Sequence, residues 1–287
     1  MVNETYIPST LEEALKLRAE VHAMPLAGGS DLMVQYRRGT GVVPEFPFPV
    51  MIMSSINELK GIKKEEDGSV LIGALTTSAE IASCEDVPFF VRKAASLMGA
   101  ISLRNSATIG GNLGNASPKG DLPQPLILLD ATVILQSINS TREILVDEFI
   151  KGSKKTALAD DEIITAIRIP NVKYTYGYYR KIGTRKANAI SKLSLSALIY
   201  VEDGIIKDFR VSSGAAGPKV ARNKANEAKL IGKKLEDIPA LKEDILNTHD
   251  QTISPRAMAT WRRNSTRRML DYFLSEVSKG GDEGIIQ

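Results

Sequence analysis

Apolar residues recur every three to four positions in the segment 9–21, which is the spacing of one helix face. Leu11 and Leu15 lie on that face, and Ser9 or Thr10 precedes it as a residue type that caps helix N-termini. A short apolar stretch, MPLAGG, follows directly and ends in a glycine pair, the pattern of a buried strand that leads into a turn. The pattern therefore predicts a helix followed by a strand.

Short apolar stretches and turn residues continue to alternate up to about residue 175. The pattern predicts a strand at 50–56, then a hairpin whose tip is EEDGS, residues 65–69. Helices are predicted at 76–83 and 88–100 because their apolar positions share one side. Between 123 and 169 the pattern predicts a helix or short turn, then a strand, then further strands or short helices. This region is therefore expected to be α+β, with a glycine segment at each of two strand ends.

The pattern changes after Pro170. Strict apolar alternation at Leu193 and Leu195, with an Asp203-Gly204 turn further on, predicts a sheet of three strands. Helical segments follow up to residue 280. We therefore predict a first domain at 1–175, with parts at about 1–55 and 56–175, a second α+β domain at 176–280 and a flexible tail at 281–287.

Composition excludes several classes of function. The chain has 287 residues, of which 43% are apolar and 25% charged, and a net charge of +3, which does not demand a nucleic-acid partner. One cysteine excludes an internal disulfide and a cysteine-ligated cluster, and two histidines leave a metal centre poorly supplied. Neither a secretory signal pattern nor an apolar run of membrane-spanning length occurs. The expected location is the cytoplasm.

Two glycine pairs carry the candidate chemistry, one in LAGGSDL at 26–32 and one in TIGGN at 108–112. Glycine allows left-handed backbone and lets main-chain N–H groups approach a phosphate closely, so two such segments are suited to hold one pyrophosphate from two sides. Neither G-x-G-x-x-G nor G-x-x-x-x-G-K-[ST] occurs. Either pair alone is also compatible with a tight turn that binds nothing.

Six blocks of sequence resemble one family in the same order. They include YIPSTLEEAL with PLAGGSDL, LIGALTTSAEI, RNSATIGGNLGNASPKGDLPQPLILLDATV, LADDEIITAIRIP, YYRKIGTRKANAIS and SSGAAGPKVARNKANEA. The chain resembles the FAD-binding medium subunit of the molybdenum hydroxylases, the xanthine dehydrogenase and carbon monoxide dehydrogenase family. The resemblance implies an α+β fold: a two-part FAD-binding domain of the PCMH or vanillyl-alcohol-oxidase type, then a smaller C-terminal domain of a three-stranded antiparallel sheet with helices.

The resemblance also implies the residues that contact FAD. The two glycine segments would hold the pyrophosphate, Asp121 would accept a hydrogen bond from a cofactor hydroxyl, Met98 and Ile164 would contact the flavin, and Lys181 would lie near its edge. The expected set is Pro25, Leu26, Ala27, Gly28, Gly29, Ser30, Asp31, Leu32, Met98, Thr108, Ile109, Gly110, Gly111, Asn112, Asp121, Ile164 and Lys181.

Purely structural roles stay open for some of these residues. Met98 and Ile164 also fit core positions, Asp121 also fits a turn, and Lys181 also fits a solvated surface lysine. The sequence offers no nucleophile and no set of metal ligands, so the chemistry is expected to belong to the cofactor.

The resemblance implies an electron-transfer subunit with no catalytic side chain of its own. Electrons would come from [2Fe–2S] clusters in a small partner subunit, after chemistry at molybdopterin in a large partner subunit, and would pass to NAD⁺ or another acceptor. A dimer of heterotrimers is expected. Two alternatives stay open: a stand-alone FAD oxidoreductase, and an assembly module of the same complex that has lost FAD.

Overall fold

The computed structural model of the chain describes residues 4–255, 257–280 and 283–286. The chain divides into two compact units, which are described separately. The first comprises Met1–Ser117 and Asp130–Asn171, and the second comprises Pro118–Leu129 and Val172–Gln287. Both units mix helices and sheets, and the predicted α+β class is confirmed.

The strands of the described residues, in chain order, are β1 (Thr5–Tyr6), β2 (Met24–Leu26), β3 (Val50–Ile52), β4 (Ile62–Lys64), β5 (Val70–Gly73), β6 (Thr132–Gln136), β7 (Thr141–Leu145), β8 (Ile150–Gly152), β9 (Lys155–Thr156), β10 (Ile163–Ile169), β11 (Tyr176–Ile182), β12 (Leu193–Glu202), β13 (Ile205–Gly214), β14 (Ala221–Arg222) and β15 (Gly284–Ile286).

The α-helices of the same residues are α1 (Leu11–Val21), α2 (Leu32–Tyr36), α3 (Ser78–Ser83), α4 (Phe89–Ser96), α5 (Ile101–Ser106), α6 (Ile109–Gly114), α7 (Pro123–Leu128), α8 (Val146–Phe149), α9 (Lys224–Glu227), α10 (Ile238–Asp250) and α11 (Ala259–Ser278). Short 3-10 turns lie at Asn57–Leu59, Ala228–Leu230 and Leu235–Asp237.

The first unit begins with a small parallel sheet in the order β1-β3-β2. Helix α1 is the predicted first helix, and its cap is Thr10, whose side chain accepts the Glu13 N–H. Leu15 on its buried face joins a core cluster with Met51 and Met53, at and after β3. The helix therefore forms where apolar spacing and a capping residue coincide.

A second sheet in the first unit has the order β4-β5-β10-β6-β7, and every pairing in it is antiparallel. Strands β4 and β5 are the predicted hairpin around residues 65–69, with Gly68 in the left-handed conformation at φ 81°. Strand β10 lies at the centre, so its alternate residues are buried on both faces of the sheet.

The second glycine segment is not at a strand end, contrary to the expectation. The first segment does follow β2, but the second follows α5 and forms the start of α6. The Thr108 side chain caps α6 by accepting the Gly111 N–H at 3.1 Å. Glycine has a low helix propensity, but close packing requires it at this position in the helix. A Cβ on Gly110 would lie only 2.7 Å from the Ala74 Cβ.

The second unit is built on a sheet in the order β14-β13-β12-β11-β15. Its three long antiparallel strands, β11 to β13, are the predicted three-stranded sheet, and two short edge strands extend it. Strand β15 pairs in parallel with Tyr176 to Tyr178, so residues 284–286 of the predicted tail form a strand. Residues 281, 282 and 287 lie outside the described residues. Helices α10 and α11 share one apolar core with the sheet.

Residues 118–129 belong to the second unit, although the predicted boundary placed them in the first domain. Helix α7 within this segment carries Gln124, which is fully buried. Its Nε2 donates to the Ser212 carbonyl at 3.0 Å and to the Ser212 hydroxyl at 2.7 Å. The Ser196 hydroxyl donates to the Gln124 Oε1 at 3.1 Å. These bonds fix the helix to β12 and β13.

Among the described residues, no helix has both the length and the apolar character needed to cross a membrane.

The two glycine segments of the first unit meet at Gly28. A Cβ built on Gly28 would lie 1.7 Å from the Ser106 carbonyl oxygen and 3.1 Å from the Ala107 nitrogen. No side chain fits in that space, so the chain after β2 can lie directly on the end of α5 only because residue 28 is glycine.

A Gly28→Ala variant tests this contact. We expect the free energy of unfolding to fall by at least about 1–3 kcal/mol, because the new methyl overpacks the contact with Ser106. Gly152→Ala is the matched control, since a Cβ there has no neighbour within 4 Å, and its stability should change by less than about 0.5 kcal/mol. Urea unfolding measures both. Equal stability of the two variants would contradict the proposed packing.

A buried histidine gives the second unit a pH dependence. His249 on α10 is 1% exposed, and its Nε2 lies 2.9 Å from the Ser213 hydroxyl. Burial lowers the pKa of His249 from 6.5 to about 4. The neutral ring is therefore the form that the fold accepts.

We expect stability to fall between pH 6.5 and about pH 4. The pKa of His249 is lower in the folded state, so as the pH falls the unfolded chain takes up a proton first. The contribution of neutral His249 to the free energy of unfolding is therefore complete above pH 6.5 and is lost as the pH falls toward 4. The loss reaches about 3 kcal/mol at the lower limit. In urea unfolding from pH 7.5 down to pH 5, His249→Gln should remove most of the slope, whereas the exposed His22→Asn control should retain it. An unchanged slope in His249→Gln would contradict the assignment.

Candidate functional site

A pocket of about 290 Å³ lies in the first unit, between the two glycine segments. Residues 25–32, Thr108, Gly110, Gly111 and Ile164 of the predicted site all line it. Apolar side chains form much of the remaining wall, among them Leu75. Two segments more than seventy residues apart in sequence are thus brought to one cavity.

Three other predicted residues of the first unit do not line the pocket. Ile109 is fully buried, and Met98 is 8% exposed and accepts a hydrogen bond at its Sδ from the Ser78 hydroxyl at 3.4 Å. Asn112 lies on the same helix as the glycines but on another face. For Ile109 and Asn112 the geometry of α6 is the reason, because the helix turns about 100° per residue and presents only some of its residues to the pocket.

The four glycines of the two segments differ in why the fold needs a residue without a side chain at that position. Gly28 lies against Ser106, Gly29 adopts the left-handed φ of 64°, and Gly110 lies against Ala74. These three are required by packing or backbone conformation alone. Gly111 differs, because a Cβ there would meet only the Thr108 hydroxyl, at 2.9 Å, and the Ala27 Cβ, at 3.8 Å. Its missing side chain leaves open space in the pocket.

Backbone donors of the second segment are already bonded within the protein. The N–H groups of residues 109, 110 and 111 have as acceptors the Thr76 carbonyl at 3.1 Å, the Ala74 carbonyl at 2.9 Å and the Thr108 hydroxyl at 3.1 Å. The second segment therefore shapes the pocket rather than supplying spare donors in this state.

The first segment does offer donors. Within the part of the chain that the structure describes, no hydrogen bond joins the N–H of Gly28, Gly29 or Ser30 to another residue. All three residues line the pocket and are partly exposed. Successive N–H groups in such a turn form a concave site for an anion.

One rim of the pocket is polar. Lys154 Nζ donates to Asp31 Oδ2 at 2.8 Å and also contacts Asn115 Oδ1. Gln35 Nε2 donates to the same Asn115 oxygen at 3.3 Å. Burial acts to raise the pKa of Asp31, but Lys154 and the amide side chains outweigh it, so the pKa is lowered. Asp31 is therefore a carboxylate at neutral pH.

Sequence reasoning did not find Lys154 or Asn115. Lys154 follows a polar turn, in KGSKKT, where a solvated lysine is the ordinary expectation. It reaches the pocket because its backbone is left-handed at φ 59° and its N–H donates to the Ala116 carbonyl at 2.9 Å. The position of Lys154 depends on the contact between the β8–β9 turn and the chain after α6. No local sequence pattern predicts that contact.

The two remaining predicted residues lie in the second unit and pair with each other. Lys181 Nζ donates to Asp121 Oδ2 at 2.9 Å, and both side chains are less than 10% exposed. Burial raises the pKa of Asp121, although Lys181 acts in the opposite direction. Lys181 is thus a buried ion-pair partner rather than a solvated lysine.

The hydroxyl of Tyr179 is a further buried polar group near this pair. Asp121 Oδ1 and the Tyr179 hydroxyl have no hydrogen-bond partner among the described residues. Burial, and then the charge of Asp121, raise the pKa of Tyr179 well above its ordinary value. Buried polar atoms without partners cost free energy, so they indicate where a further polar partner fits.

No group of three or more histidine, cysteine, aspartate or glutamate side chains in the described part of the chain is arranged to hold a metal ion.

Comparison with known proteins agrees with the two-domain fold. Residues 1–172 match the family described as the FAD binding domain in molybdopterin dehydrogenase, and residues 178–277 match the CO dehydrogenase flavoprotein C-terminal domain. The chain is 31% identical to the glyceraldehyde dehydrogenase medium chain of Sulfolobus acidocaldarius, over 91% of this chain and 92% of that protein. It is 34% identical to the nicotinate dehydrogenase FAD-subunit of Eubacterium barkeri, over 80% and 79%.

Solved structures show the same fold. A chain of CO dehydrogenase from Oligotropha carboxidovorans superimposes with a TM-score of 0.85 at 22% identity, covering 98% of this chain and 99% of that one. The family matches span both domains and account for most of the sequence. The chain therefore belongs to the family of FAD-binding medium subunits of molybdenum-dependent dehydrogenases, which are oxidoreductases.

Proposed function

We propose that this chain binds one FAD in the pocket of the first unit and carries electrons within a heteromeric molybdenum hydroxylase. One observation carries the proposal: Gly28, Gly29 and Ser30, whose N–H groups have no acceptor among the described residues, line a cavity that Gly111 leaves open on its other side. A pyrophosphate needs both features, namely several donors and an approach free of Cβ atoms.

The pocket residues fit the cofactor beyond its phosphates. Leu75, Ile163 and Ile164 supply apolar surface for a ring system. In this proposal Thr108 and Gly110 shape the second side of the pyrophosphate site. Ile109 and Asn112 lie on the same helix and stay predicted contacts that the pocket lining does not include.

Asp121 and Lys181, which lie in the second unit, stay predicted contacts of the cofactor. The Asp121 Oδ1 is buried and without a partner among the described residues, so it is suited to accept a hydrogen bond from a cofactor hydroxyl. Lys181 holds the other carboxylate oxygen at 2.9 Å and thereby orients it. Met98 stays a predicted contact of the flavin that the pocket lining does not include.

Bound FAD supplies the redox chemistry, because flavin accepts electrons one at a time and releases them as a pair. We propose a small iron–sulfur subunit as the donor and a large molybdopterin subunit as the site of substrate oxidation, with NAD⁺ or another acceptor receiving the electrons. The two relatives are a medium chain and an FAD-subunit of dehydrogenases named for different substrates, glyceraldehyde and nicotinate, which agrees with substrate choice in another subunit. A dimer of heterotrimers in the cytoplasm completes the proposal.

A Gly111→Val variant tests the pocket. We expect FAD content to fall to less than about a tenth of the wild-type value, because the side chain fills the space beside Ala27. The variant should stay folded, with a loss of about 1 kcal/mol where the Thr108 cap shifts. Flavin absorbance per chain and circular dichroism measure the two effects. Gly152→Val, whose added Cβ has no neighbour within 4 Å, should retain its FAD. Full FAD content in Gly111→Val would sink the assignment of this pocket.

Co-purification from the native host tests the electron-transfer role. We expect the chain to bring down iron, molybdenum and FAD together, and we expect NAD⁺ or an artificial acceptor to reoxidise the reduced flavin. Iron and molybdenum without flavin would replace the proposal with the assembly module. Flavin with neither metal would replace it with a stand-alone oxidoreductase.

A further inference from the structure

The polar rim of the pocket contains a cation that no sequence motif marks. Among the residues that line the pocket, Asp31 and Lys154 are the two charged ones. Lys154 lies between β8 and β9 and reaches Asp31, which directly follows the unpaired donors of Gly28, Gly29 and Ser30. A positive charge is thus held beside the main-chain site for an anion.

Stability alone does not explain this arrangement. The Lys154 and Asp31 side chains are 44% and 53% exposed, and an ion pair this exposed contributes little to folding because water and salt screen it. Lys154 also adopts a left-handed backbone at φ 59°, which costs free energy for a residue other than glycine. The turn between β8 and β9 accounts for that backbone, but the ion pair itself contributes little to folding, so the lysine is suited to a role in binding.

The lysine also has bonding capacity to spare. An ammonium group has three N–H donors, and the contacts with Asp31 and Asn115 use two of them. The third donor is available to an anion at the first glycine segment. Asp31 and Asn115 restrict the long side chain to the rim of the pocket, which lowers the entropy that it would lose when a ligand binds.

We propose that Lys154 binds a phosphate oxygen of the FAD pyrophosphate, with Asp31 and Asn115 holding its ammonium group at the pocket rim. This inference rests on the proposed function, because it needs FAD in this pocket. It adds a charge-assisted contact to the neutral N–H donors of Gly28, Gly29 and Ser30.

Lys154→Gln in the full-length chain tests the proposal. After removal of flavin, the chain is titrated with FAD at low and at high salt, and the quenching of flavin fluorescence gives the dissociation constant. We expect the constant to rise by about 10-fold at low salt, because one charge-assisted hydrogen bond is lost. The difference from wild type should shrink at high salt, since screening already weakens that contact.

Lys155→Gln is the matched control. It removes the same charge from the neighbouring residue, which lies outside the pocket lining, so the dissociation constant should change by less than about 2-fold. If the two variants bind FAD equally well, the proposal for Lys154 fails, while the proposed function stands. If the wild-type chain binds no FAD at all, both fail.

Asp31→Asn separates ligand binding from a purely structural role. If Lys154 binds phosphate, Asp31→Asn should weaken FAD binding much less than Lys154→Gln does, because Asn115 still contacts the ammonium group and a negative charge beside the anion is lost. If Lys154 serves only to hold Asp31 and the first glycine segment, Asp31→Asn should weaken binding as much as Lys154→Gln does. Equal weakening would therefore overturn the proposal.

Discussion

The contact between Gly28 and Ser106 is the constraint on which the site depends. With a Cβ position only 1.7 Å from a carbonyl oxygen, residue 28 can only be glycine if the chain after β2 is to lie on the end of α5. That approach brings the first glycine segment beside α6 and leaves the pocket between them. The unpaired donors of the first segment and the open space left by Gly111 then border the same pocket.

The structure assigns unequal roles to the two glycine segments. Sequence reasoning expected both to supply main-chain donors to one diphosphate. Thr108 instead uses its hydroxyl to cap α6 through the Gly111 N–H, so the donors available in this state belong to the first segment. Both segments line one pocket. The first segment has N–H groups without acceptors among the described residues, and the second leaves open space at Gly111.

Sequence patterns predicted what local physics determines. Helix α1, the hairpin around Gly68 and the three long strands of the second unit each have a short-range signal of spacing, caps or turn residues. The resemblance to the family supplied what periodicity could not, namely the identity of the cofactor as FAD, and the structure brings both glycine segments to one pocket. Lys154 and the docking of Gln124 onto Ser212, 88 residues away, were missed because they depend on long-range contacts without a local pattern.

Identification of the flavin released by the purified chain tests the central claim most directly. The chain is expressed at full length, denatured, and its supernatant is separated by chromatography against FAD and FMN standards. One FAD per chain is the expected result, because the proposed site holds a pyrophosphate, which FMN lacks. Release of FMN, or no flavin from a folded chain even after FAD has been added, would contradict it.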